Sequence, residues 1–65
     1  MDNTTRLILM LDREFDKTAE SIANKKFLMN RTGDFREIAA LASECAELKE
    51  YLETLFNMAQ EILGV

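Results

Sequence analysis

The chain has 65 residues, with no histidine, tryptophan or proline, two glycines and one cysteine. Without histidine the usual proton shuttle and commonest metal ligand is missing, and one cysteine makes neither an internal disulfide nor a cysteine-based zinc site, which excludes most enzyme classes. Eight basic against twelve acidic side chains leave a net charge of −4, which argues against general binding to nucleic acid or to anionic membranes.

A single domain over 1–65 is expected. Chains near this length bury only roughly 60% of their unfolded surface, and small proteins offset the deficit with disulfides, a metal or association. Composition removes the first two, so a partner chain, identical or different, is the expected stabiliser. An apolar fraction of 48% is that of a folding chain, not a disordered one.

The first predicted element is a helix over about 4–30, capped by Asp2, Asn3 or Thr4. Ile8, Leu11, Phe15, Ile22 and Met29 hold a three-four spacing, with Thr18 and Lys25 at the intervening positions. Ala19 and Ala23 sit beside this seam and let a neighbour approach closely. The run Leu7-Ile8-Leu9-Met10-Leu11 is too short for a signal peptide or a membrane span. A cytoplasmic chain without membrane insertion is therefore expected, and the lone thiol suits a reducing compartment.

A turn follows over 30–34, Asn30-Arg31-Thr32-Gly33-Asp34, with Gly33 free to take the positive φ of a reversal. So short a connection makes the flanking helices antiparallel neighbours. The second helix is expected over about 35–63, roughly 43 Å at 1.5 Å per residue. Its seam is Ile38, Leu41, Cys45, Leu48, Leu52, Leu55, Ala59 and Ile62, an unbroken heptad pattern. Phe35, Ala42, Phe56 and Leu63 lie on adjacent positions with Lys49 between them, a stripe wider than a two-stranded coil needs. Asp34 with Glu37 reads as a capping box, and Gly64 as the stop. The predicted fold class is all-α: a two-helix antiparallel hairpin that completes a helical bundle with a partner chain or a second copy.

Few residues carry chemistry. Cys45 lies in the seam with no histidine to activate it, so it reads as a small core hydrophobe. Glu37, Glu44, Glu47, Glu50 and Glu61 lie off the seam as a solvated face, and Lys25, Lys26 and Arg31 complement the end of the first helix. No catalytic, cofactor-binding or metal residues are expected. Charge is divided, with six basic and five acidic residues in 1–33 but two basic and seven acidic in 34–65.

The apolar excess is more informative. Leu7, Ile8 and Leu11 suit the intramolecular seam, which leaves Leu9 and Met10 outside. In an antiparallel hairpin this end lies beside the end of the second helix. Leu7, Leu9, Met10, Leu55, Phe56, Met58, Ile62 and Leu63 are the predicted partner-binding residues. Phe27 and Leu28 form a smaller second patch.

The basic pair Lys25-Lys26, the turn Arg31-Thr32-Gly33-Asp34, Phe35 just after it, Ala46-Glu47-Leu48 and the apolar tail Ile62-Leu63 together make a familiar layout. Over essentially the whole chain it resembles the small E-component co-chaperone family of type III secretion needle systems. The resemblance implies a cytoplasmic hairpin that pairs with a helical-repeat co-chaperone and, with it, keeps the needle subunit soluble before export. It implies no catalysis and no small-molecule substrate. The alternative is a homodimeric four-helix-bundle regulator, or a small phage- or plasmid-encoded inhibitor, that binds a host protein or RNA. Its RNA-binding face would comprise Arg6, Arg13, Lys17 and Lys25, interrupted by Asp12, Asp16 and Glu20.

Overall fold

Two long amphipathic stretches separated by three residues leave the chain one way to hide its apolar stripes, which is to fold one helix back on the other. The computed structural model describes residues 2–64 and has this arrangement. Helix α1 runs Asn3–Arg31 and helix α2 runs Phe35–Leu63, 29 residues each. They pack along one another in a hairpin 49 × 17 × 12 Å.

Three of the four helix ends are closed by a capping side chain or by glycine, and α1 ends on the Thr32 amide donating to the Leu28 carbonyl at 3.1 Å. Asp2 caps α1, its Oδ1 accepting from the Thr5 amide at 2.7 Å. That bond holds the Asp2 carboxyl below the usual carboxylate range. At the other end of α1 the Arg31 guanidinium lies 5.2 Å over the Phe27 ring. Helix α2 stops at Gly64, whose φ of 74° and ψ of 27° are left-handed, a conformation that costs glycine little.

The turn differs from the expected one in two ways. Gly33 does not take a positive φ: Gly64 alone has one among the described residues. The chain instead turns through extended Thr32 (φ −89°, ψ 146°) and Asp34 (φ −90°, ψ 114°). The capping box is also rearranged. Asp34 Oδ1 accepts from the Arg36 amide at 2.9 Å, one residue earlier than a box requires. Glu37 does not reach back to the Asp34 amide; the Thr32 hydroxyl stands between them. It accepts from the Asp34 amide at 3.2 Å and donates to Glu37 Oε2 at 2.9 Å. The orphan donor is still satisfied, through a relay.

The interhelix seam is the predicted one, and it is thin. Ile22, Cys45 and Leu55 are buried, while Ile8, Leu11, Met29, Ile38, Leu41, Leu48, Leu52, Ala59 and Ile62 are half-buried. Thr18 is buried at 5% exposure, and its hydroxyl donates to the Glu14 carbonyl at 2.8 Å, so this core alcohol is satisfied within its own helix. Leu7 falls outside the seam, 46% exposed. At 100° per residue it points a full step away from Ile8. Ala19 and Ala23 are exposed as well, so the close neighbour they would admit is not α2.

Candidate interaction surfaces

Helical geometry gives the hairpin two flanks beside its seam, and they differ in chemistry. On one flank, polar bonds join the helices. Lys25 Nζ meets Glu44 Oε2 at 3.2 Å, and the Tyr51 hydroxyl donates to Glu14 Oε1 at 3.3 Å. Partial desolvation of Tyr51, then the adjacent Glu14 carboxylate, push its phenol above the ordinary value near 10. We call this the latched flank. Among the described residues the other flank has no such bond. Its exposed positions carry Ala19 and Ala23 from α1 and Ala39, Ala42 and Ala46 from α2, and we call it the alanine flank.

Away from the turn the alanine flank opens into an apolar notch of about 300 Å³, lined by Ile8, Leu11, Phe15, Leu55, Phe56 and Ala59 with Asp12 at its rim. Phe15 and Phe56 also border a second, shallower recess with Leu52, Glu53 and Asn57. A notch between two aromatics forms because only two helices are present: a third would fill the groove above the seam.

The predicted partner-binding residues sort into three groups against this geometry. Leu9, Phe56 and Leu63 are exposed towards the alanine flank, and Leu7, Met10 and Met58 are exposed towards the latched flank. Leu55 and Ile62 belong to the seam. Leu55 is 5% exposed and Ile62 half-buried, so Leu55 supports the notch floor and does not stand on the outer patch. The expected patch is therefore a collar around the free end of the hairpin, divided between two flanks. Sequence spacing alone missed Phe15, whose heptad position marks it as core. It stays 36% exposed because α2 covers only one side of its ring.

Near the turn, Phe35 is 85% exposed, and Phe27 and Leu28 are exposed on α1. Cys45 is a buried free thiol. Among the described residues no three His, Cys, Asp or Glu side chains converge as a metal site, and no helix is long and apolar enough to cross a membrane. Compared with protein-family models, curated proteins and solved structures, the chain gives no significant match.

Proposed function

We propose that this hairpin works by protein–protein contact, completing a helical bundle with a partner chain, in the manner of a type III secretion co-chaperone. One observation supports the reading above the others: the disproportion between core and exposed apolar surface. Three hydrophobic side chains are buried among the described residues, whereas Leu7, Leu9, Met10, Phe56, Met58 and Leu63 are all more than 40% exposed around one end. Patches of this kind on a small chain mark a contact surface. The turn and tail motifs supply the partner class, a helical-repeat co-chaperone together with a needle subunit.

The experiment is co-expression of the full chain with such a helical-repeat protein and needle subunit, followed by size exclusion with light scattering. A stoichiometric complex is expected. Met10, at 60% exposure, is the substitution of choice because it lies outside the seam. Met10→Glu should keep far-UV helicity while weakening the complex by about 30-fold or more, as for an interface anchor. Absence of any complex, or unchanged binding by Met10→Glu, defeats the proposal.

A further inference from the structure

We infer that a second copy of this chain covers the alanine flank, the two hairpins packing face to face about a two-fold axis that places their turns at opposite ends. The inference goes beyond the heteromeric reading above and shares only part of its surface: Leu9, Phe56 and Leu63 lie on the paired faces, whereas Leu7, Met10 and Met58 stay outside them.

Size and charge select the occupant together. Towards the turn, the alanine flank carries Ala23, Ala39 and Ala42 beside Lys26; towards the free end it carries Phe15 and Phe56 beside Asp12. One half is a shallow trough with a cation, ended at the turn by exposed Phe35, and the other is bulky with an anion. A two-fold axis lying in the face, across the helices near Ala19, sets each half against its opposite. Counting along α1 from that axis, Lys26 of one copy stands seven residues out, level with Asp12 of the other, which lies seven residues out in the opposite direction. Phe56 falls over the trough around Ala42. Asp16 and Glu53 add to the acidic half, and Lys49, near the axis, has a stem long enough to carry its charge to the rim. An axis running along the helices would instead set trough against trough and place Lys26 over the alanines of α2, away from Asp12. Contacts of this self-complementary kind define an isologous dimer.

The available area is adequate. A face of 49 × 17 Å amounts to roughly 800 Å², about what each partner gives to a stable interface. Alanines at its centre let the helix axes come within the 8–10 Å of ordinary helix packing. The result is an antiparallel four-helix bundle in which Phe15 and Phe56 lie inside and the notch is covered.

Sedimentation equilibrium of the full chain tests this. A dimer with Kd in about the micromolar range or tighter is expected. Ala19→Glu, which sets like charges on the axis, should weaken it about 100-fold or more. Because each ion pair occurs twice, Lys26→Glu alone and Asp12→Lys alone should each weaken the dimer by about tenfold. The double variant should recover most of that loss, a rescue that damage to folding would not give. A monomer at concentrations of about 100 μM, a dimer indifferent to Ala19→Glu, or a double variant no tighter than the weaker single one each overturn the inference. None of these outcomes bears on the Met10→Glu experiment, so the two proposals fail separately.

Discussion

The two ends of the hairpin are closed by different physics. At the turn, closure is local and polar: Thr32, Asp34, Arg36 and Glu37 exchange three hydrogen bonds within six residues, and the Lys25–Glu44 pair ties the helices a little further along. At the free end, closure depends on apolar residues far apart in sequence, with Ile8, Leu11 and Phe15 meeting Leu55, Phe56 and Ala59 around an open notch. Polar closure of a turn satisfies backbone groups without needing a third helix. Apolar closure is only as complete as the surface that covers it, and here two helices leave Phe56 and Leu63 in solvent. The free end is thus where association has most to add.

Removing one side chain from the apolar end is the strongest way to break the contrast. Leu55 is among the most buried residues of the hairpin and forms the notch floor, so Leu55→Ala loses transfer free energy and enlarges a void. A loss of about 2–5 kcal/mol is expected for a buried leucine, enough to melt most of a marginally stable chain of this size. Thermal unfolding followed by far-UV circular dichroism measures it. A shift no larger than that of a surface substitution would mean that the free end contributes little to holding the helices together.

Filling in the turn should do much less, and in the other direction. A Cβ built on Gly33 meets nothing within 4 Å, and its φ lies outside the left-handed region. Gly33→Ala then restricts the unfolded chain without straining the folded one, a gain of about 0.4–1 kcal/mol. Gly64→Ala is the control, since Gly64 has φ +74° and the same change there is strained. If chemical denaturation showed both substitutions to be equally harmful, Gly33 would have to hold a left-handed conformation like that of Gly64.

Much of this architecture was legible in residue spacing. Alternating steps of three and four through Ile38, Leu41, Cys45, Leu48, Leu52, Leu55, Ala59 and Ile62 define a stripe that only a helix can present on one side, and those residues are the α2 seam. Asp34 and Gly64 were readable as ends because their chemistry suits those positions and few others, whereas the start of α1 was narrowed only to Asp2, Asn3 or Thr4, of which Asp2 is the cap. The turn was less readable. Gly33 permits a positive φ but does not require one, and extended Thr32 and Asp34 suffice. The Thr32 relay depends on a hydroxyl whose place in space follows from that backbone path. For the candidate surface, the apolar free end was visible as an excess that two helices cannot hide. Its division between flanks was not, because whether Leu7 or Leu9 faces a given flank depends on where α2 lies around α1. Spacing within a single helix does not carry that information.

The smallest expected effect concerns the latched flank in the free-end half, where the Tyr51–Glu14 bond is the one polar link between the helices among the described residues. Desolvation against α1 and the Glu14 carboxylate both favour the neutral phenol, so its folded-state pKa lies above the unfolded value near 10. A group whose pKa is raised by folding adds stability that is fully present below the unfolded value and is lost as pH rises through the folded one. Stability should therefore fall in the alkaline range above pH 10 and show no Tyr51 contribution to its slope near neutrality. Because the chain holds a single tyrosine, ultraviolet titration near 295 nm reports this group alone. Glu14→Gln removes the charge while keeping a hydrogen-bond acceptor, so the titration should move back towards, but not reach, the value of a free phenol. An unchanged midpoint would mean that the two side chains do not meet in solution. The two helices would then be joined by polar contact only near the turn, and the free end would rely on its apolar residues alone.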